Sequence, residues 1–524
     1  MRVGIIELLV DAPYRGWPDY LYATYFRRQF SSIMPQAVAV WCRQLGHDVT
    51  YATYCGLQDP LTLLPDDLDV VFVSAYTQVS ALAYALAKIF RRAGTLTVLG
   101  GPHAKSFPMD ALRFFDLVVG DCDATLIDDI LKRRFDPPAL ISSGRSLTDL
   151  PSVEERMPEI AAATFVRGRP VATSVVPMLA SVGCPYTCNF CVDWNSKYVP
   201  FPPERLANDL RYLAQHWPKM LIAFHDPNFG VRFDETMDAM ECVPKGRRSG
   251  YIMESSLSIL KPSRLRRLKD TNCVYCAPGV ESWVDYSNKS GAQGEYGEDK
   301  FQRVLTHFAE LGHYVAGLQA NFLFGADSDK GSGPVELTKE FIRRLPLVWP
   351  TINIPTPFGG TPLHDTYVAG GRILEALPFA FYYNPYLAIT LKHYDPVEYY
   401  AHLIDMHEVI VSMDMLRRRL LFRSRVLVRF VHALRTLAAR SELAEFRRLR
   451  ALLLADPVFR AFHEGTRDEL PDYYHHRLDE RLGRYAELFP RHERRPILDG
   501  WPRVAAAAND ATMTRVGRSS RVAT

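Results

Sequence analysis

Three cysteines stand close together in the segment SVGCPYTCNFCVDWN, which spans residues 181–195. They are Cys184, Cys188 and Cys191, in a C-x3-C-x2-C spacing. A structural zinc ion usually takes four protein ligands, and this segment holds no fourth cysteine and no histidine. A four-iron cubane cluster usually takes four thiolates, so three would leave one iron open to a small molecule. The spacing indicates an iron–sulfur centre with an open site, a zinc knuckle or three structural thiols.

The residues around these cysteines indicate where the cysteines lie. The preceding run VATSVVPMLAS (171–181) is apolar and rich in β-branched side chains, which predicts a buried strand. The cysteines therefore lie on a loop that leaves a strand end, where catalytic groups are often placed. Tyr186 and Phe190 stand between the cysteines and would shield a cluster from water.

The cysteine spacing, with an aromatic residue before the last cysteine, resembles that of the radical S-adenosylmethionine (radical SAM) superfamily. The resemblance implies a 4Fe–4S cluster on the three cysteines whose open iron binds S-adenosylmethionine (SAM). One electron from the cluster would cleave SAM to a 5′-deoxyadenosyl radical, which takes hydrogen from a small-molecule substrate. The resemblance also implies an electron donor such as flavodoxin or ferredoxin.

The length, charge and composition of the chain limit its domain number, its partners and its compartment. A chain of 524 residues, 48% of them hydrophobic, is long enough for about three domains. The net charge of +3 gives no field for nucleic acid, so no nucleic-acid partner is expected. The N-terminal run lacks the features of a signal peptide, and no apolar run has membrane-spanning length. Nine cysteines, three of them clustered, fit a reducing cytoplasm better than a disulfide framework.

Residues 1–140 alternate β-rich apolar runs with helical patterns, which predicts a doubly wound parallel sheet. The predicted strands are Val3–Val10, Asp48–Tyr54, Asp69–Tyr76, Thr95–Leu99 and Leu117–Val119. Helices are predicted at Pro35–Leu45 and Val79–Arg92. Ligands of such sheets bind beyond the carboxyl ends of the strands.

This domain resembles the cobalamin-binding domain that precedes many radical SAM cores, which implies cobalamin as a further cofactor. The positions that match its cofactor-lining residues are Ser74, Thr77, Gly100 and Gly101. The D-x-H-x-x-G motif is missing, since Asp11 is followed by Ala12 and Pro13. His103 is a candidate cobalt ligand, although a loop histidine is more often solvated. A domain of this fold that binds nothing is the alternative.

Residues 141–176 are punctuated by prolines and predict a linker with one short hairpin at 163–174. Residues 177–375 then give six strand–helix units, which predict a partial TIM-type barrel, and this part of the chain resembles the radical SAM core. Polar residues at barrel strand ends are typical site residues. In a strand, Cys273 and Cys276 would face opposite sides, so one buried and one barrel-facing thiol are expected rather than a second metal site.

The resemblance to the radical SAM core assigns SAM-contacting roles to four residues. The run FHDPNF (224–229) replaces the family's G-G-E motif, and Asp226 is predicted to hold the SAM ammonium group. Glu281 is predicted to contact the SAM ribose or carboxylate, and Asn321 and Gly325 to lie near the adenosine. The alternatives are ordinary ones, since such an Asp is usually a helix cap and such an Asn usually serves the backbone.

Residues 376–524 predict a mainly helical C-terminal domain. The aromatic patch 379–386 either covers the barrel mouth or packs between domains. The segment Leu416–Arg440 is basic with regular apolar spacing, so it packs on the protein or contacts an acidic membrane surface. Residues 505–524 are small and polar and predict a disordered end.

Taken with the resemblance, these features predict a cobalamin-dependent C-methyltransferase that acts on an unactivated carbon of a specialised metabolite. In this chemistry the cofactors supply the reactivity, and Asp226 and Glu281 would orient SAM. One alternative keeps the radical and drops methyl transfer, as in a cyclisation, rearrangement or oxidation. Another is a non-catalytic metal- or corrinoid-binding protein with zinc on the cysteine loop.

Overall fold

The computed structural model describes residues 1–144, 147, 149–284, 289, 294–421 and 426–501. Its N-terminal part is a six-stranded parallel sheet with the order β2-β1-β3-β4-β5-β6. The strands are β1 (Arg2–Leu8), β2 (Asp48–Tyr54), β3 (Val70–Ala75), β4 (Leu96–Gly100), β5 (Leu117–Val119) and β6 (Ala139–Ile141). The order changes direction beside β1, and ligands of doubly wound sheets bind at such a point.

Helices cover this sheet on both faces because its strands are apolar on both sides. They are α1 (Trp17–Tyr25), α2 (Ile33–Gln44), α3 (Ser80–Arg92), α4 (Pro102–Ser106), α5 (Pro108–Ala111) and α6 (Ala124–Leu131). The five predicted strands and the doubly wound fold are confirmed. Strand β6 and helices α1, α4, α5 and α6 were not predicted. Helix α1 mixes aromatic and polar residues without a clear period, and α4 and α5 are five and four residues long.

The predicted linker is wrong in part, because residues Val153–Thr164 form a helix, α7. Ser152 and Glu155 form a capping box at its start, a start signal that was readable in the sequence. Pro158 inside the helix is what favoured the linker interpretation. The predicted hairpin is reduced to one bridge between Val166 and Arg169.

The central part is a second six-stranded parallel sheet, with strands in the order β14-β13-β12-β11-β10-β7. Its strands are β7 (Val175–Met178), β10 (Leu221–Phe224), β11 (Tyr251–Ser256), β12 (Cys273–Glu281), β13 (Gly317–Leu323) and β14 (Val348–Asn353), while β8 (Ser181–Val182) and β9 (Val199–Pro200) form a separate antiparallel pair. The helices are α8 (Pro203–His216), α9 (Phe233–Glu241), α10 (Leu265–Asp270), α11 (Gly297–Leu311), α12 (Gly333–Arg344) and α13 (Pro362–Ala369). The predicted partial barrel is confirmed.

Alternation along β13 shows which side of this sheet is the barrel interior. Ala320 and Phe322 belong to a buried apolar cluster that includes Phe341 of α12. Gln319 and Asn321, on the other side of the strand, are only partly buried and bind other polar groups. The helices therefore cover one face, and polar side chains line the interior.

The C-terminal part is helical, as predicted. Its helices are α14 (Pro396–Val411), α15 (Met413–Leu421), α16 (Val426–Ala455), α17 (Pro457–His463) and α18 (Asp472–Leu482). One buried apolar cluster joins the N-terminal sheet, the last barrel strands and these helices. The predicted disordered end, residues 505–524, lies outside the described residues.

The basic segment packs at least partly inward. Arg419 of α15 is fully buried and donates to the carbonyl of Ile410 at 2.9 Å and to the hydroxyl of Thr436 at 2.6 Å. Its guanidinium also lies 4.8 Å from the ring centre of Trp349. Within the described ranges no helix has the length and apolarity needed to cross a membrane. Contact with a membrane surface through Leu416–Arg440, of which residues 422–425 are not described, stays a prediction.

The aromatic patch 379–386 packs between domains. Phe379 stacks on Phe107 with the ring centres 3.9 Å apart, and Tyr382 meets Phe379 edge-on at 5.0 Å. Both belong to the shared apolar cluster. The packing interpretation of this patch therefore holds, because its rings are fixed against α4–α5 of the N-terminal domain.

Glu7 on β1 is a buried carboxyl whose ionisation should affect stability. Burial raises the pKa of Glu7 to about 7, against hydrogen bonds from Ser32 and Tyr51 that lower it. The folded protein therefore holds the proton more tightly than the unfolded chain, so stability falls as pH rises from about 4.5 to about 7.

We expect Glu7→Gln to remove this pH dependence. At pH 5 the variant and the wild type should have similar urea midpoints, because Glu7 is then neutral. At pH 8 the free energy of unfolding of the variant should exceed that of the wild type by up to about 3 kcal/mol. A stability difference that is constant across this pH range would contradict the assignment.

Candidate active site

The cysteine loop is closed at its base by the short β8–β9 pair, in which Val182 lies opposite Val199. The N–H of Cys184 donates to the carbonyl of Ser196 at 3.2 Å, which adds a second tie across the base. Gly183 has φ +69°, and a Cβ on it would overlap the backbone carbonyl of Lys197. Only glycine fits here, so the base of the loop is set by backbone geometry.

The three cysteine thiols lie close enough together to affect one another's pKa. Cys184 and Cys188 are buried and Cys191 is partly buried. Burial raises the pKa of Cys188 to about 11, and the thiols of Cys184 and Cys191 are close enough to add to that shift. Among the described side chains, no three His, Cys, Asp or Glu residues converge on one metal position. A cubane binds each thiolate through a different iron, so it does not need that convergence.

Asp226 lies at the end of β10 and binds the entrance of the cysteine loop. Its carboxylate accepts the hydroxyl of Ser181 at 2.6 Å and the N–H of Ala180 at 3.0 Å. It is 2% exposed, and burial raises its pKa to about 6. Asp226 thus positions the chain just before the first cysteine, a role that its predicted contact with SAM did not include. That SAM contact stays a prediction.

Glu281 ends β12 in a strained conformation, with φ +65°. Its carboxylate lies over Gly279, where a Cβ would overlap it. Burial raises the pKa of Glu281 to about 7, while the charges of Lys289 and Lys300 lower it. Backbone strain of this kind is found at functional sites, which supports the choice of Glu281 as a site residue.

Glu254 on β11 was missed by sequence reasoning. Burial raises its pKa, and Lys289 is the cation that opposes this. Burial lowers the pKa of the same Lys289, but the nearby charges of Cys188 and Glu281 outweigh it, so the pKa of Lys289 is raised overall. Two carboxyls and one ammonium therefore gather beside the cysteines. The sequence signal was available, because Glu254 alternates with the core residues Met253 and Ser255 on its strand.

Asn321 lies in a polar network inside the barrel. Its side-chain oxygen accepts the amide N–H of Gln319 at 2.7 Å. Gln319 in turn accepts the hydroxyl of Tyr275 at 2.8 Å and a guanidinium N–H of Arg435 at 2.8 Å. Arg435 comes from α16, so the C-terminal domain supplies a cation to the barrel wall. No local pattern in the sequence pointed to this long-range contact.

Gly325 serves the backbone after β13. It has φ +99°, and a Cβ on it would lie 2.6 Å from the ring of Tyr399. Its N–H donates to Asp329 at 2.9 Å. The close approach of Tyr399 explains the glycine without a ligand, and contact with adenosine stays a prediction.

A cavity of about 820 Å³ lies between the N-terminal sheet and the cysteine loop. Three of the four predicted cobalamin-lining residues line it: Ser74, Gly100 and Gly101. A Cβ on Gly100 would meet no atom within 4 Å, and one on Gly101, at φ +90°, would crowd Ser74. The strand ends thus leave room for a bulky flat ligand, which is what a corrinoid requires. Thr77 is buried at the start of a turn and is not part of the lining.

The cavity is also lined by the cysteine loop and by His225. Val192, Asp193 and Ser196 of the loop contribute to its wall. His225 precedes Asp226 in the chain and its side chain is exposed to the cavity. The surrounding protein atoms and the nearby charge of Arg156 lower its pKa to about 4. A neutral imidazole therefore faces the space between the two domains, and sequence reasoning did not assign it a role.

The structure does not bring His103 to this cavity. Its imidazole is fully buried and its Nε2 lies 2.5 Å from the hydroxyl of Tyr84. Tyr84 also donates to Asp110 at 2.7 Å, and burial lowers the pKa of His103 to about 3. The His103 ring turns under α4 into the core, so this geometry speaks against the predicted role as a cobalt ligand.

Cys273 and Cys276 are both buried, so the expected barrel-facing thiol is wrong. The pairing of β11 with β12 skips Val274, since Tyr251 pairs with Cys273 and Ile252 with Tyr275. This bulge breaks the two-residue alternation and puts both thiols in the same apolar cluster.

Comparison with known proteins shows which sequences the chain resembles over most of its length. No protein-family model matches the chain. Bacteriochlorophyllide d C-8(2)-methyltransferase of Chlorobaculum tepidum is 24% identical over 388 residues, which are 70% of this chain and 82% of that protein. The C-12(1)-methyltransferase of the same organism is 23% identical over 320 residues, covering 58% of this chain and 67% of that protein.

Two solved structures share the fold. The radical SAM methyltransferase TsrM of Kitasatospora setae, with cobalamin and a [4Fe-4S] cluster bound, matches 85% of this chain and 99% of its own at a TM-score of 0.54 and 12% identity. The cobalamin-dependent radical SAM enzyme OxsB, with aqua-cobalamin bound, matches 94% of this chain and 81% of its own at 0.54 and 11% identity. The present chain therefore has the fold of these two proteins, with an N-terminal doubly wound sheet, a partial barrel and a helical C-terminal part. Its central barrel carries the cysteine loop, and its N-terminal sheet supplies the facing side of the cavity.

We expect Gly183→Ala to lower the iron and sulfide content of the anaerobically purified protein by more than half. The added Cβ would push the chain away from Lys197 and shift Cys184, which is the next residue. Gly246→Ala is the matched control, because a Cβ on Gly246 meets nothing within 4 Å and should leave the iron content unchanged. Equal iron content in both variants would refute the fixed base of the loop.

Proposed function

We propose that this chain is a cobalamin-dependent radical SAM methyltransferase that methylates an unactivated carbon of a small molecule. One observation carries the proposal: the strand ends of the cobalamin-binding-type domain and the cysteine loop line the same cavity. A methyl-donor site and the loop that carries the cysteines would thus face one shared space. The similar proteins reported above include methyltransferases, and this likeness supports the same reaction class.

The residues divide into two groups by what they would hold. Cys184, Cys188 and Cys191 would bind the cluster, and the carboxyls beside them would hold SAM. Gly100 and Gly101 would let the corrinoid approach the backbone. When bound, the cluster and SAM supply a hydrogen-abstracting radical, and cobalamin supplies the methyl group.

The chain's own side chains prepare this space. Asp226 fixes the start of the cysteine loop through Ser181. Glu281 is buried, whereas the side chain of Glu254 is exposed. The pKa values of both carboxyls are raised, so a bound ammonium group would stabilise their charged forms. The electron donor and the identity of the substrate carbon stay predictions, since no contact of the described residues specifies either.

The first test measures metals and co-products together. Protein purified without oxygen from cells supplied with iron and cobalamin should hold about four irons and about one cobalt per chain. Incubation with SAM and a low-potential reductant should give 5′-deoxyadenosine and, with methyl transfer, S-adenosylhomocysteine. Cys188→Ala should lose iron and both products.

Each outcome has a clear meaning. Iron without cobalt, even after added cobalamin, would leave the radical core and favour cyclisation, rearrangement or oxidation. A colourless protein that holds zinc would support the non-catalytic alternative. Retained SAM cleavage in Cys188→Ala would contradict the radical mechanism altogether.

We expect Gly100→Val to separate the two cofactors. The valine side chain would project into the cavity, where no atom lies within 4 Å of the Cβ position, so the fold should tolerate it. Cobalt content should fall at least about tenfold while iron content stays at the wild-type level, as measured by elemental analysis. Gly246→Val, at a surface glycine, should change neither metal. Full cobalt retention in Gly100→Val would show that the corrinoid does not use this wall.

A further inference from the structure

The last described segment returns from the helical domain to the N-terminal sheet. We call residues 491–501 the C-terminal strap. Arg113 donates to the carbonyl of Glu493 at 2.8 Å, and the N–H of Ile497 donates to Asp110 at 2.9 Å. Asp110 is 2% exposed. Buried, hydrogen-bonded anchors of this kind fix the strap against the cobalamin-binding-type domain.

The strap ends at the cavity with Trp501. The indole N–H donates to the carbonyl of Ala104 at 3.1 Å, which fixes the direction of the ring. The ring edge lies on Gly120, where a Cβ would come within 2.9 Å of it. Gly120 follows β5, and both Gly120 and Trp501 line the 820 Å³ cavity. The indole therefore forms part of the wall beside the strand ends of the N-terminal sheet.

We propose that Trp501 is a corrinoid-contacting residue and that the strap closes the cobalamin cavity. This inference rests on the cobalamin part of the proposed function. Trp501 is held by Ala104 and Gly120 on the domain that supplies Gly100, so it lies on the corrinoid side of the cavity. An aromatic ring locked in one orientation gives a large contact area to a flat conjugated ligand at little entropic cost.

The strap and the cysteine loop both approach the same residue, Gly360. A Cβ on Gly500 would lie 3.5 Å from the N–H nitrogen of Gly360, and the indole of Trp194 donates to the carbonyl of Gly360 at 2.8 Å. Trp194 follows Cys191 by three residues. The backbone of Gly360 therefore supports both the strap and the cysteine loop. This contact places Trp501 at the boundary between the two proposed cofactor sites.

The test measures binding of hydroxocobalamin to the cobalamin-free full-length protein, by ultrafiltration and absorbance of the free corrinoid. Trp501→Ala should raise the Kd at least about tenfold, and Trp501→Phe should keep it within about threefold. Trp17→Ala is the matched control, since Trp17 is 70% exposed and does not line the cavity. It should leave the Kd unchanged.

A second variant displaces the ring without removing it. Gly120→Ala should push the indole away and weaken hydroxocobalamin binding in the wild-type background. In the Trp501→Ala background, Gly120→Ala should not weaken hydroxocobalamin binding further, because the ring through which it acts is absent. Additive effects in this double-mutant cycle would overturn the contact.

The outcomes distinguish this inference from the proposed function. A wild-type protein that binds no hydroxocobalamin would refute both. Binding by the wild type with a Kd for Trp501→Ala within twofold would refute the role of Trp501 alone. If Trp501→Ala lowers the thermal midpoint, Trp501→Phe and the single variant Gly120→Ala decide. Weaker hydroxocobalamin binding in Gly120→Ala with binding retained in Trp501→Phe supports the contact, and unchanged binding in Gly120→Ala overturns it.

Discussion

The buried guanidinium of Arg156 holds together the segments that lead to the cysteine loop. It is 1% exposed and donates to the side chain of Gln36 at 2.8 Å and to the carbonyl of Pro177 at 3.2 Å. Gln36 belongs to the N-terminal domain and Pro177 to the first barrel strand, so one side chain from the connecting helix links both. Removing it would leave buried acceptors unpaired, at about 1–3 kcal/mol each. The position of β7, and hence of the loop that follows it, depends on these hydrogen bonds of Arg156.

Further buried contacts make the three parts of the chain one structure. Arg481 of α18 pairs with Asp11 at 2.6 Å with both side chains buried, and Asp11 stands just past β1. Arg435 of α16 enters the barrel network through Gln319. Such buried pairs act mainly to specify one arrangement, because desolvation offsets most of their attraction. Their value here is geometric, since they fix the N-terminal sheet and the barrel at the spacing that the shared cavity requires.

Local patterns were enough to predict the two parallel sheets and the cysteine loop, because strand periodicity and ligand spacing are short-range signals. They also indicated that Gly100 and Gly101 leave space at a strand end, and both line the cavity, while their contact with cobalamin stays a prediction. They failed for His103, whose orientation depends on Tyr84, nineteen residues earlier in the chain. They failed equally for Arg435 and Trp501, which reach the site from far along the sequence. Contacts of that range follow from tertiary packing, which no local pattern encodes.

The apolar cluster that runs from Ile6 through Ile352 to Phe446 has a consequence for how such a chain could diversify. A protein built of separable modules can exchange one domain for another by recombination. Here a new N-terminal sheet would have to match the faces of the barrel and of α14–α18 at once, and Asp11 would have to keep its arginine. Change in this chain is therefore easiest in the residues that line the cavity, where a substitution meets space and leaves the shared core intact.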